Sequence, residues 1–323
     1  MPTTARAFAK INLGLYIGPL RASGFHELRT VYQTIALHDT VRVTVGSGTG
    51  VEVRCKCPGV PLDESNTCCR IAERVMKALK QRGKVVIQID KKLPVQGGLG
   101  AASSDAVATL LALERELQMP LAAEDKLAIA AEVGSDLPLF LVGGTVLGTG
   151  RGEEVFPLPD LPEMPLVLVT PEAGVSTPRA FADWDVLAAQ QGAELTGENG
   201  AARMKVFSRS VFTWLTGSLS GVPAKGRDRA ETPLLDLVRA GIENDFERVV
   251  FPQYPELREA KRKLEREGAS YASLSGSGSA LYALYQTAEA AAQAADRLKA
   301  QGLTAEATST VRRCRYWKQI FGD

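Results

Sequence analysis

The chain has 323 residues, 45% of them hydrophobic, which is enough for a sizeable core and, by length, about two domains. With 38 Lys+Arg against 37 Asp+Glu the net charge is +1, which argues against a nucleic-acid partner, since such binders carry a strongly basic face. No apolar run approaches the ~20 residues of a membrane span, the N-terminus lacks a secretory leader's apolar stretch, and none of the five cysteines has zinc-site spacing, so the expectation is a cytoplasmic protein with reduced thiols, no membrane partner and no metal held by its side chains.

Along the chain, residues 5–17 alternate: Phe8, Lys10 and Asn12 share one face, and Ala7, Ala9, Ile11 and Leu13 the other, which predicts a strand with a usable polar face. "TVYQTIALHDTVRVTV" from Thr30 predicts strand, turn, strand, and "GVEVRC" from Gly50 another strand. "SNT" from Ser65 caps a helix that Gly83 closes, with Cys68, Ile71, Ala72, Val75 and Leu79 on its apolar stripe. "VVIQIDKKL" predicts a strand. A glycine-rich stretch follows, then a helix through Leu117 and another from Pro120 and "AAEDK" to about Gly134. "PLVLVTP" (165–171) predicts a buried strand at a crossing point between domains. Residues 186–231 read as a long excursion or lid, with an amphipathic patch at Met204, Phe207, Val211 and Leu215. Helix, strand and helix complete the chain through "YPELREAKRKLEREG", "SYASLSGSGSALYALY" and "AEAAAQAADRLKAQG". This uneven mixture predicts an α+β fold.

The chemistry concentrates in "KLPVQGGLGAASSDA" (92–106). A glycine-rich loop feeding a helix N-terminus brings unpaired N–H groups and partial positive charge to an anion. Gly97, Gly98 and Gly100 supply backbone freedom, and Ser103 and Ser104 supply hydroxyls at the helix entrance. Neither a P-loop nor the dinucleotide fingerprint is present. From the residues alone, a phosphate cradle and a bare strand-to-helix turn both stay open.

The order "AKINLGLYI", "GFHELRTVYQ", "LPVQGGLGAASSDA", "GSDLPLF" and "SLSGSGSALYALY" resembles the GHMP small-molecule kinases, and within them the branch that acts on 4-diphosphocytidyl-2-C-methyl-D-erythritol. The resemblance runs from residue 5 to about 285, apart from the middle excursion. It implies a two-domain α+β fold, 1–160 and 161–323, with ATP and substrate in the cleft between them, and ATP-dependent phosphorylation of the substrate's 2-hydroxyl in the non-mevalonate route to isoprenoid precursors. The alternatives are another GHMP kinase, acting on homoserine, mevalonate or a sugar, or a non-catalytic ligand-binding regulator. Implied cofactors are ATP and Mg²⁺; the implied partner is the small-molecule substrate, to a monomer or homodimer. ATP phosphates would lie along Pro94, Val95, Gln96, Gly97, Gly98, Leu99, Gly100, Ala101, Ala102, Ser103 and Ser104. Where the family carries more glycine, this chain has Gln96, Ala101 and Ala102; alanine resists positive φ, so the last two must sit in helix-like geometry.

By the same resemblance Lys10 and Asp136 are catalytic, Asp136 accepting or orienting the hydroxyl proton and Lys10 stabilising the developing charge. Asn12, Gly276 and Ser277 would bind substrate; Phe25 would stack on the cytosine and His26 would bond its edge. On their own residues, Lys10 equally reads as a solvated charge, Asp136 as a helix cap, Phe25 as core and His26 as a turn residue.

Overall fold

A computed structural model describes residues 2–191, 203, 205–209, 211 and 243–322. Most of the 186–231 excursion, including Met204 and Leu215, therefore lies outside the described residues. Two layered units share the N-terminal strand.

The first unit is a six-stranded sheet, β3-β4-β2-β5-β6 with β1 on β2. Its strands are β1 (Thr3–Leu20), β2 (His26–Gly46), β3 (Val51–Cys55), β4 (Lys84–Asp90), β5 (Thr145–Thr149) and β6 (Glu154–Pro157). Helices α1 (Thr67–Ala78), α2 (Ala101–Leu117), α3 (Ala123–Val133) and α4 (Leu137–Val142) pack with it. Asn66 caps α1, its side chain accepting from the Cys68 amide at 2.8 Å. That helix stops at Leu79, before Gly83, because Lys80 already takes a left-handed φ of 54°. Alanines at 106, 108 and 112 leave α2 thin enough to bury nearly all round, against β1, β2 and α1.

The turn expected within residues 30–45 is absent: β2 runs unbroken for 21 residues, pairing with β1, β4 and β5. His38 Nδ1 bonds the nearby Ala36 carbonyl at 2.8 Å, but the other contacts of His38 and Asp39 are remote. The His38 ring packs on Phe8, and the buried Asp39 carboxylate accepts the amides of Lys92 and Leu93. Asx-type residues mark turns when their side chains bond locally; here the bonds are long-range.

The second unit is an antiparallel sheet of four strands, β7 (Pro165–Val169), β8 (Tyr271–Leu274), β9 (Leu281–Leu284) and β10 (Ala305–Ser309), in the order β10-β7-β9-β8. The segment "SYASLSGSGSALYALY" is a hairpin of β8 and β9 around "SGSGS". One face packs on α5 (Thr177–Gln191), α6 (Glu247–Gln253), α7 (Pro255–Arg266) and α8 (Ala288–Ala300). The other, through Leu166, Leu168, Tyr282 and Leu284, meets Ala9, Ile11 and Leu13 of β1. Lying between two cores, β1 is buried on both faces. The final helix, α9 (Arg313–Gln319), was not anticipated from the sequence; it returns to the first unit, where Tyr316 packs on Phe8 and donates to the Phe140 carbonyl at 2.6 Å.

Candidate active site

Burial of β1 removes Lys10 from bulk water: it is only 3% exposed. A buried ammonium needs partners. Its Nζ donates to Asn12 Oδ1 at 2.7 Å and lies 3.4 Å from Asp136 Oδ2. Asn12 in turn donates to Thr30 Oγ1 at 2.8 Å, and Thr30 to the Gly14 carbonyl at 2.7 Å. The chain of bonds fixes the amide with its oxygen toward the lysine.

Asp136 stands at the start of α4, yet its side chain makes no cap bond. Its Oδ1 instead accepts from the Tyr32 hydroxyl at 3.1 Å. Burial, and then the neighbouring Asp136 charge, push the Tyr32 hydroxyl well above its usual range, which keeps it a proton donor. The Asp136 side chain remains 33% exposed, open to an incoming group.

The glycine stretch lies directly behind this pair. The carbonyls of Gly97, Gly98 and Leu99 accept from the Ala280 amide at 3.1 Å, the Ser275 hydroxyl at 2.9 Å and the Lys10 amide at 3.0 Å. In a trans peptide N–H points opposite to C=O, so the amides that follow these carbonyls turn away from those three donors. They border a cavity of about 340 Å³ lined by Pro94 through Ser103 on one side and by Val175–Pro178 and Gly278 on the other. Gly98 and Gly100 take left-handed φ angles of 71° and 67°, and Ala101 already begins α2, so the alanines sit in helix as the sequence required. A Cβ at Gly98 would stand 2.0 Å from the Ser275 carbonyl oxygen. Ser104 is buried and does not line the cavity. Gly276 approaches Lys10 and Asn12, and Ser277 Oγ bonds Thr177 Oγ1 at 2.6 Å.

At the far end of β1 and β2, Phe25 is 51% exposed in the connecting turn, so the core reading fails for it. The Arg151 guanidinium sits 4.9 Å from its ring centre. His26 opens β2, buried; its Nδ1 donates to the Gly18 carbonyl at 3.0 Å and its Nε2 lies 2.9 Å from Asp185 Oδ1. The His26 ring stacks on Phe181 at 5.5 Å and 6°. Lys10, Asn12, Asp136, the glycine stretch, Gly276 and Ser277 thus come together, with Phe25 and His26 further along the same strand pair. Tyr32, Phe181, Asp185 and Arg151 escaped the sequence reading; the alternation of Thr30 and Tyr32 on β2 was a usable signal for the first.

Residues 66–144 match the GHMP kinases N terminal domain, and residues 230–303 match GHMP kinases C terminal. The chain is 39% identical to a 4-diphosphocytidyl-2-C-methyl-D-erythritol kinase of Solibacter usitatus, over 98% of this chain and 92% of that protein. It is 33% identical to the kinase of the same name from Geobacter sulfurreducens, over 95% and 99%. The chain belongs to the 4-diphosphocytidyl-2-C-methyl-D-erythritol kinase family. Among solved structures, a crystal structure of 4-(cytidine 5'-diphospho)-2C-methyl-D-erythritol kinase superposes with a TM-score of 0.73 at 28% identity, covering 95% of this chain and 98% of the other. A homoserine kinase from Cytophaga hutchinsonii reaches 0.71 at 20% identity, covering 96% and 95%, a likeness of fold. In this GHMP kinase the N-terminal match contains the glycine stretch and Asp136 but not Lys10. It is the fold that brings the lysine beside them, 3.4 Å from Asp136.

Proposed function

We propose that this kinase transfers the γ-phosphoryl group of ATP to the 2-hydroxyl of 4-diphosphocytidyl-2-C-methyl-D-erythritol. The observation that carries the reading is the Lys10–Asp136 pair at 3.4 Å beside the glycine-lined cavity. In the proposed step the substrate oxygen bonds to the γ-phosphorus as the bond from that phosphorus to the bridging oxygen breaks. The hydroxyl proton passes to Asp136, and ADP leaves. Lys10 opposes the charge that develops on the oxygens, and Tyr32 holds the Asp136 carboxylate in line. Asn12 fixes the ammonium and borders the substrate. Phe25 and His26 would receive the cytosine, with the Arg151 cation beside that end of an anionic substrate. The chain would divide near residue 160, one unit carrying the phosphate loop and the other closing the cavity through Val175–Pro178.

Among the described residues no three His, Cys, Asp or Glu side chains cluster as a metal site. Mg²⁺ would be carried mainly by nucleotide phosphates, with the hydroxyl of Ser103, which lines the cavity, as a protein-side oxygen. Bound there, Mg²⁺ would neutralise phosphate charge. All five cysteines are free thiols, and no described helix is long and apolar enough to cross a membrane.

The test is a coupled ADP-release assay on purified protein, offering 4-diphosphocytidyl-2-C-methyl-D-erythritol, homoserine and mevalonate in turn. Turnover is expected with the first alone. Turnover with homoserine or mevalonate and none with the first overturns the assignment.

A further inference from the structure

The "SGSGS" turn is held from behind by a residue that no motif marks. Asn244 is buried; its Nδ2 donates to the carbonyls of Leu274 and Gly276, both at 2.8 Å, and its Oδ1 accepts the Phe246 amide at 3.0 Å. Both amide hydrogens and the oxygen are engaged, so the side chain has a single orientation. Its backbone is pinned to the strand that bears Lys10: Leu15 N donates to the Glu243 carbonyl and Asp245 N to the Leu15 carbonyl, each at 2.9 Å. The fully buried Asp245 carboxylate adds the Ile17 amide at 2.8 Å and the Arg203 guanidinium.

The Gly276 carbonyl points at Asn244, so the N–H of the same peptide, that of Ser277, points the opposite way. That amide has no acceptor among the described residues. Ser277 Oγ bonds Thr177, which lines the cavity, and the Gly276 α-carbon faces Lys10 Nζ and Asn12 Oδ1, which a Cβ there would meet at 3.5 and 3.4 Å. On the other side Ser275 Oγ holds the Gly98 carbonyl.

We propose that Asn244 is a positioning residue for phosphoryl transfer: it orients the Gly276–Ser277 peptide so that the Ser277 amide can receive an anionic oxygen next to Lys10. The inference rests on the kinase reading above and deepens it. Asn244 touches no substrate; it acts through the turn.

The experiment compares wild type with Asn244→Ala and Asn244→Asp in the ADP-release assay, beside melting curves and a titration with a fluorescent ATP analogue. On folded enzyme kcat is expected to fall by about tenfold or more, the scale of a misplaced reactive geometry, while nucleotide affinity stays within about threefold. The aspartate variant, whose carboxyl donates only when protonated, is expected to recover relative to wild type as pH falls. A purely structural role would lower the melting temperature and the folded fraction but leave kcat per folded site, and its pH profile, unchanged. Folded variants with kcat within about twofold of wild type overturn the proposal. Should the variants not fold, hydrogen exchange on wild type decides: the Ser277 amide is expected to exchange readily alone and to be protected by ATP with the diphosphocytidyl substrate. Exchange unchanged by those ligands overturns it. An inactive wild type would instead count against the kinase reading itself.

Discussion

Asp136 divides its two oxygens between an ammonium and a phenol, Oδ2 toward Lys10 and Oδ1 toward Tyr32. The two contacts do different work and separate by mutation. Asp136→Ala removes the proposed proton acceptor, and turnover is expected to fall roughly 100-fold or more with ATP binding largely kept. Tyr32→Phe leaves the carboxylate in place but frees one oxygen; about a tenfold loss in kcat with little change in KM is expected, the pattern of an interaction used in the transition state. Steady-state kinetics on both variants checks the pair, and equal losses would mean that Tyr32 does more than aim the carboxylate. Lys10 and Asp136 could be singled out in the sequence only through the family resemblance, because residues 126 positions apart carry no spacing signal. Tyr32 went unnoticed because a tyrosine on an apolar strand looks like core, and its ring is indeed buried; only the hydroxyl's direction, toward Asp136, sets it apart.

At the scale of elements, the proposed phosphate loop is held by its carbonyls, which are occupied elsewhere. Gly98 is the tightest point: its left-handed φ and the Ser275 carbonyl leave no room for a side chain. Gly98→Ala is therefore expected to lower stability by about 1–3 kcal/mol and to weaken ATP binding as the loop and the "SGSGS" turn part. Calorimetry with and without nucleotide measures both effects; an unchanged ATP affinity would sever the turn from the loop. Helix α1 was legible from its apolar stripe and Asn66 cap, and α2, α3 and strands β3, β4 and β7 as apolar segments bounded by glycine, proline or charge. β2 was misread because His38 and Asp39 look like a local turn, while the Asp39 carboxylate reaches the Lys92 and Leu93 amides and the His38 ring packs on Phe8, all remote in sequence. The α9 helix was not legible at all, since its seven residues, "RCRYWKQ", bury only Tyr316 and so show no stripe.

For the molecule as a whole, stability depends on a buried charge cluster under the loop. Lys91 bridges Asp39 and Asp105, and the almost fully buried Asp105 carboxyl is raised to about 7, first by burial and then, against the pull of Lys91, by the Asp39 charge. In an unfolded chain an aspartate gives up its proton near pH ~4. Between that value and about 7 the folded state holds more protons, so stability falls as pH rises through this window and levels off above it. Asp105→Asn removes that slope: relative to wild type the variant's melting temperature is expected to climb from pH 4 to pH 7 and then run parallel. Parallel curves throughout would mean that Asp105 carries no such shift.

The unbroken β2 strand ties the two ends of the site to one rod. From His26 to Tyr32 it advances about 20 Å at roughly 3.3 Å per residue, and the register shifts in this stretch, between Asn12 and Gly14 and between Ile17 and Leu20, place the extra residues on β1. In the proposed binding mode the strand sets a ligand length: a base held at the His26 end would offer its hydroxyl to Asp136 only if the linker between them has the right reach. Shortening the diphosphate bridge to a single phosphate is expected to abolish turnover while the truncated compound still occupies the base end as a competitive inhibitor. Efficient phosphorylation of the shortened compound would show that the rod sets no such limit.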